Sequence, residues 1–392
     1  MTSTEAVPQA ADVVVIGAGQ AGLSAGYHLR RRGFVPAGDP AGGARTYLVL
    51  DAEDGPGGAW RHRWRSLRMS TINGIHDLPG IEQPDVEPEA ASVDVLPAYF
   101  GDYEDELGLA VVRPVRVRRV EKADDELGDG GDGGHGDLLV RWEGRGSSGV
   151  ITARAVINAT GTWSKPFWPA YPGQETFRGR QLHTADYVRA EDFAGQRVAV
   201  VGGGISAVQL LEEVSHVAQT FWFTRREPVW RDSFDPEDGS RAVAMVADRV
   251  RDGLPPLSVV SVTGLIRTPS LLAAAARGVL DRRPMFARIV PDGVVTPDGE
   301  LVPVDVIFWN TGFRAALDHL RPLRLRGTGG GIRMDGTQVH GEPRVHLIGY
   351  GPSASTIGAN RAGRDAVNRI VRHLDSAGRT ALVPGSDSVL SS

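Results

Sequence analysis

The chain has 392 residues, enough for two domains with substantial cores, and its 50 glycines and 25 prolines imply many turns and close backbone approaches. A net charge of −5 gives no general drive toward nucleic acid or acidic membranes, and the complete lack of cysteine excludes disulfides, thiolate metal sites, a catalytic cysteine and dithiol redox chemistry. No apolar run reaches the ~18 residues of a spanning helix, and MTSTEAVPQAAD lacks the basic and apolar regions of a secretory signal, so a soluble cytoplasmic protein is expected.

Residues 12–16, DVVVI, read as a buried parallel strand. Gly17-Ala18-Gly19-Gln20-Ala21-Gly22 follows, then an apolar-periodic helix to about Arg32. This is GxGxxG between a strand and a helix. The first glycine makes the tight turn, the second lets backbone approach a pyrophosphate, and the third lets helix pack on strand; the helix N-terminus offers free N–H groups to the anion. The next strand, TYLVLD, ends at Asp51, placed to bond ribose hydroxyls. The Pro/Gly-rich insert at 36–44 accounts for its added distance from the turn.

GPGGAWRHRWRSLRMSTINGIHDLPG comes next. Gly57-Gly58 permits close approach to a ligand. Trp60 and Trp64 offer flat surfaces, with Arg61, Arg63, Arg65 and Arg68 alternating around them, and a bound anionic cofactor is the expected partner of that cluster. Asn73-Gly74 by itself reads as a turn dipeptide. A helix is expected near VLPAYFGDYEDEL, a strand over VVRPVRVRRVEKA, a flexible hairpin tip over 124–137 and a return strand at LLVRWE. ITARAVINATGTW (151–163) is a strand running into Ala159-Thr160-Gly161, where the chain would switch domains.

A second strand and glycine turn follow: RVAVV (197–201), then Gly202-Gly203-Gly204-Ile205-Ser206-Ala207, with alanine in the third glycine's place. The next strand, TFWFTRRE, carries Arg225 and Arg226 where the first unit has Asp51. An acid there suits a free ribose, as in FAD; arginine suits a 2′-phosphate, as in NADPH. Residues 235–290 break the alternating pattern with helical pieces and read as an insertion, a candidate cap over the substrate. Trp309-Asn310-Thr311-Gly312-Phe313 then echoes the first ATG strand end. The chain closes with a strand, a Gly351-Pro352 turn and a helix starting near Thr356, whose N-terminus would face an anion.

Between the two turns lies FRGRQLHTADY, with Phe177, Gly179, His183 and Tyr187. It resembles the FxGxxxHxxx(W/F) fingerprint of the flavin-containing monooxygenases, within the class B flavoprotein monooxygenases, with Tyr187 in the last aromatic place. GAGQAG and GGGISA resemble that family's FAD and NADPH turns, GGAW its segment along the flavin, and ATGT and WNTGF its two hinge strands, Asn310 replacing the usual alanine. SLRMSTIN resembles the segment that carries an active-site asparagine, which maps onto Asn73.

The resemblance implies an α/β fold of two dinucleotide-binding (Rossmann-like) domains, the NADPH domain (162–309, with an insertion at about 235–290) set inside the FAD domain (1–161 and 310–392). The implied cofactor contacts are Gly17, Gly19, Gln20, Ala21, Gly22, Asp51, Gly58, Trp60, Arg65, Thr160, Gly161, Thr311, Gly312, Gly351 and Thr356 for FAD. For NADPH they are Gly202, Gly204, Ser206, Ala207, Arg225 and Arg226. The implied activity is NADPH-driven reduction of the flavin, oxygen addition giving a C4a-(hydro)peroxyflavin, and transfer of oxygen to a small-molecule nitrogen or sulfur centre. Asn73 would be the catalytic contact, and His183 belongs to domain communication rather than general base catalysis. Molecular oxygen and a small molecule are the partners, without nucleic acid, metal or membrane span, in a monomer or homodimer. Baeyer–Villiger oxygenation of ketones, electron transfer to a protein or quinone, and a non-catalytic FAD/NADPH-binding redox sensor are the alternatives.

Overall fold

The structure is a computed structural model and describes residues 7–39, 45–72, 75–123, 136–233, 236–257 and 264–380. The expected hairpin tip at 124–137 lies outside these residues except at its end.

The first apolar run forms the strand Ala10–Ile16 at the centre of a ten-stranded sheet. It pairs in parallel with Thr46–Leu50 on one side, Val13 against Tyr47, and with Ser147–Asn158 on the other, Val13 against Ala155. Strand side chains alternate between faces. Val13 and Val15 therefore pack with the helices Gln20–Arg31 and Thr356–Thr380, while Val14 and Ile16 pack against the strands Arg116–Lys122 and Leu138–Gly144. Both faces are covered, which is why the run is apolar throughout rather than alternating. The strand expected over VVRPVRVRRVEKA is two strands, Val111–Val112 and Arg116–Lys122. Pro114 falls between them, and proline cannot donate to a ladder.

The second sheet has five strands in the order Arg282–Pro284, Gln219–Thr224, Arg197–Val201, Val306–Trp309, Arg180–His183, all parallel. Val198 and Val200 face one core and Ala199 and Val201 the other. The chain thus holds two Rossmann-like units, the second inserted in the first. Two strand ends, Asn158–Gly161 and Trp309–Gly312, carry it out and back. The connecting segments pair antiparallel: Pro166 bridges Phe313, Phe167 N donates to Gly312 O at 2.9 Å, and Ala316 N donates to Gly161 O at 3.0 Å.

The stretch outside this plan is shorter than 235–290, because Arg282–Pro284 is an edge strand of the second sheet and Phe286 and Ile289 lie in its core. A parallel two-strand pair, Trp230–Arg231 with Leu265–Ile266, marks the root of the excursion. Its helix Pro236–Arg251 reaches back to the first unit. Val250 is 3% exposed within the first unit's core, and Gly331 N donates to Gly253 O at 3.1 Å. The excursion therefore straps the second unit to the first. Among the described residues no helix is long and apolar enough to cross a membrane.

Candidate functional site

The three glycines of the first turn do three different jobs. Gly17 has φ +100°, and a β-carbon there would sit 2.7 Å from Ala159 O. A β-carbon on Gly22 would meet Gly17 O at 1.8 Å. On Gly19 it would meet nothing within 4 Å, so that position faces open space. The following helix begins at Gln20 with no side-chain cap, leaving first-turn N–H groups for a ligand.

That space is a cavity of about 380 Å³, within the usual range for small-molecule and cofactor sites. Its walls bring together Gly17, Gly19, Gln20, Ala21, Asp51, Gly58, Trp60, Thr160 and Gly161, all expected from the sequence. Gly58 has φ +51° and lies so close that a β-carbon would be 2.9 Å from Gly19 Cα. Gln20 donates from Nε2 to His76 O at 2.9 Å, while its Oε1 is buried without a partner among the described residues. Asp51 is oriented by Arg113, whose Nε donates to Oδ2 at 2.9 Å and whose other nitrogens donate to Glu104. Asp51 Oδ1 takes no hydrogen bond from the described residues. An open second glycine, uncapped helix N–H groups, an unused carboxylate oxygen and an orphaned amide oxygen fit the pyrophosphate and hydroxyls of a dinucleotide.

Other expected contacts fall elsewhere. Arg65 pairs with Asp94 at 2.6 Å on the surface and does not line the cavity. Gly351 is buried against Val250 of the excursion helix, while Gly349, Ser353 and Ser355 supply the wall nearby. Thr356 begins the closing helix. Asn73 lies outside the described residues. Trp64, read as a flat ligand surface, is 4% exposed in the second unit's core, edge-on to Tyr187 at 5.9 Å.

One wall residue, His319, escaped the sequence reading, and of the four arginines expected near an anionic cofactor Arg63 alone lines the cavity. His319 Nε2 donates to Asn158 Oδ1 at 2.7 Å, and Asn158 Nδ2 donates to Thr160 Oγ1 at 3.1 Å. Burial lowers the His319 pKa to about 4, so it is neutral. Arg63 lies with its guanidinium 4.3 Å from the Trp163 ring centre and 5.3 Å from that of Trp60. Its Nε is buried without a partner, and burial lowers its pKa to about 10. The sequence put four arginines here; only the fold tells which one turns inward.

The second turn repeats the first. Gly202 has φ +148°, and a β-carbon would meet Asn310 O at 2.2 Å, as Gly17 would meet Ala159 O. Gly204 faces open space and precedes an uncapped helix, Ile205–Val214. Ser206 lies in the helix's first turn, and Ala207, in the third glycine's place, is fully buried. Arg225 and Arg226 follow the end of Gln219–Thr224, exposed and unpaired with any carboxylate among the described residues. Arg282 also reaches this strand end, donating from Nε to Thr224 Oγ1 at 2.7 Å.

The fingerprint residues hold this unit and the linker together. Gly179 packs so tightly that a β-carbon would meet Asp305 O at 2.2 Å and the Phe177 ring at 2.6 Å. His183 is fully buried; its Nε2 donates to Gly312 O at 3.0 Å and its Nδ1 accepts from Ala185 N at 3.1 Å. Both ring nitrogens are used by the neutral form, and burial lowers its pKa. Thr311 Oγ1 donates to Phe167 O at the same crossing. Tyr187 donates to Glu213 Oε1 at 2.9 Å, and Ser66 of the first unit donates to the same oxygen at 2.6 Å. Asn310 is buried, with Oδ1 accepting from Thr184 Oγ1 at 2.8 Å.

A family model described as flavin-binding monooxygenase-like matches residues 88–255. The solved structure of a flavin-containing monooxygenase from Stenotrophomonas maltophilia is 38% identical, with 93% of this chain and 99% of that one covered and a TM-score of 0.74. A Baeyer-Villiger monooxygenase of Streptomyces coelicolor is 28% identical over 59% of this chain and 40% of that protein. Indole-3-pyruvate monooxygenase YUCCA1 of Oryza sativa subsp. japonica is 33% identical over 50% of this chain and 43% of that protein. The matched stretch thus spans less than half the length of those two relatives. The chain belongs to the flavin monooxygenase family, a family of oxidoreductases.

Proposed function

We propose that the protein binds FAD in the first unit (1–161 and 310–392) and NADPH in the second (162–309), and oxygenates a nitrogen or sulfur centre of a small molecule. Substrate, O2, NADPH and a proton give oxygenated substrate, NADP⁺ and water. The observation that carries this reading is the pairing of two glycine turns, each open at its second glycine, through a linker clamped by His183.

FAD, when bound, supplies hydride acceptance and oxygen activation; the chain supplies position and exclusion of water. The Gly17–Gly22 turn would hold the pyrophosphate and Asp51 Oδ1 a ribose hydroxyl. Arg225, with Arg226 and Arg282 close by in the fold, would take the 2′-phosphate. His183 is a positioning residue, its ring nitrogens already committed to backbone. Asn73 is assigned by resemblance to a contact with the oxygenating site. Asn73→Ala is expected to divert reducing equivalents into hydrogen peroxide; unchanged coupling of oxygen uptake to product would remove it from that role.

The test is a screen of amines, thioethers and ketones for substrate-stimulated NADPH and oxygen consumption. N-oxide or sulfoxide formation supports the reading. Ester formation from ketones would favour a Baeyer–Villiger activity, the one named for the Streptomyces coelicolor relative. Reduction of an added quinone without oxygenated product would favour a reductase.

A further inference from the structure

Arg63 is a half-buried cation of the cavity wall that no described carboxylate neutralises; Arg116, the wall's other arginine, also has no ion pair among the described residues but is exposed. Around it, Arg61 bonds Asp54 and Pro56 O, His62 bonds Glu53 at 2.9 Å, Arg65 bonds Asp94 and Arg68 bonds Glu89 O at 3.1 Å. The nearby carboxylates of the wall are likewise taken, Asp51 by Arg113 and Glu53 by His62. Among the described residues Arg63 makes no ion pair, and its buried Nε has no partner. Its guanidinium carbon lies over two indoles, 4.3 Å from the Trp163 ring centre and 5.3 Å from that of Trp60. A guanidinium covered in this way interacts through its edge, and that edge presents paired N–H donors matched to a planar carboxylate.

Position separates this group from the dinucleotide's phosphates. Those have the Gly17–Gly22 turn, with its own N–H donors and the close approach of Gly58. Arg63 lies on the side of the cavity that meets the second unit. Its stacking partner Trp163 follows the strand end at Gly161 and stacks on Phe313 of the returning strand at 4.8 Å. The next residue, Trp64, is already part of the second unit's core. An anion met there enters from the junction where the two units face each other.

We propose that Arg63 anchors a carboxylate of the substrate, so that the amine or thioether oxygenated here belongs to a carboxylate-bearing molecule. The proposal rests on the monooxygenase reading above and names its substrate class. It also accounts for the two indoles, which hold the guanidinium edge-on when the site is empty of substrate and exclude water around the ion pair when it is filled.

The test uses the oxidised holoenzyme and two thioethers of one shape, (phenylthio)acetate and (phenylthio)acetamide, titrated by the flavin difference spectrum. The carboxylate is expected to bind at least ~10-fold more tightly than the amide, the scale of one charge-assisted bidentate contact. In Arg63→Gln the gap should fall to within about twofold, and Arg63→Lys, which keeps charge but loses the fork, should retain part of it. Circular dichroism and bound FAD are measured on each variant. Equal binding of the two probes by the unaltered protein, no millimolar binding of either, or a gap that survives in Arg63→Gln overturns the proposal. So does loss of FAD from Arg63→Gln, which would assign the guanidinium to the cofactor. Because binding is read without turnover, a carboxylate preference without oxygenation of any thioether sustains the anion site and sinks the monooxygenase reading. Sulfoxide formation from both probes with equal kcat/KM does the reverse.

Discussion

Gly202 and Gly204 stand two residues apart and predict opposite consequences of the same substitution. Gly202→Ala would force a β-carbon to 2.2 Å from Asn310 O at φ +148°, and a loss of ~3 kcal/mol or more is expected in denaturant unfolding, from strain and overpacking together. Gly204 has φ −100°, and its β-carbon would meet nothing. Gly204→Ala should therefore leave stability within ~0.5 kcal/mol while raising KM for NADPH, because the added methyl enters the space a pyrophosphate needs. Equal destabilisation by both would mean that the turn's openness is not what the second glycine provides. Arg225→Ala belongs to the same scale. Losing a charge-assisted contact to a 2′-phosphate should raise KM for NADPH about 10- to 100-fold, with little change for NADH, in steady-state assays with each dinucleotide. Equal effects on the two would take Arg225 out of the phosphate site.

Among elements, the two-strand linker matters most, because it is the covalent route between the first and second units. His183 clamps it through Gly312 O, and Phe313 lies edge-on to the His183 ring at 4.9 Å. His183→Ala removes a buried hydrogen bond and leaves a hole, and should cost about 3 kcal/mol in chemical denaturation. His183→Gln, which keeps a donor, should recover part of it; no recovery would show that the ring's packing matters more than its bond. The Tyr187 hydroxyl meets Glu213, which also holds Ser66 of the first unit. Sequence placed the fingerprint but could not place this bond, since Ser66 and Glu213 are 147 residues apart in the chain. The excursion helix taught the same lesson. Its helicity was legible in RAVAMVADRV, but the contact of Val250 with Gly351 pairs residues a hundred positions apart, so the strap this helix makes between the units could not be read from the sequence.

For the whole molecule, local pattern was enough to read the architecture. Apolar β-branched runs, glycine turns and small-residue strand ends occur in order, and each is a short-range signal. Charge partnership was not legible. Arg65 was expected at the cofactor and instead meets Asp94; Arg63, one of four arginines in the expected cluster, and His319, which no motif marked, line the cavity. Burial also sets the molecule's response to acid. His319 is held at about 4 and His346 at about 3, both by desolvation, against an ordinary histidine value of 6.5. Lowered folded-state values mean that the unfolded chain binds more protons between those pH values. The stabilisation is therefore complete above pH ~6.5 and falls as pH drops toward 4, with His319 alone contributing about 3 kcal/mol. Thermal unfolding should show Tm level from pH 7 to 8 and declining below 6.5. A Tm that holds steady down to pH 4 would show that these histidines are not buried neutral.

In the proposed reaction, electrons from NADPH place one atom of O2 on an organic nitrogen or sulfur. The direct measurement is turnover under ¹⁸O2 with the thioether or amine that most stimulates NADPH consumption, with product mass, NADPH loss and hydrogen peroxide recorded together. One labelled oxygen per product molecule and one product per NADPH consumed are expected, to within the leak to peroxide. NADPH consumed with all of the label in peroxide and water, across the whole panel of amines, thioethers and ketones, would contradict it.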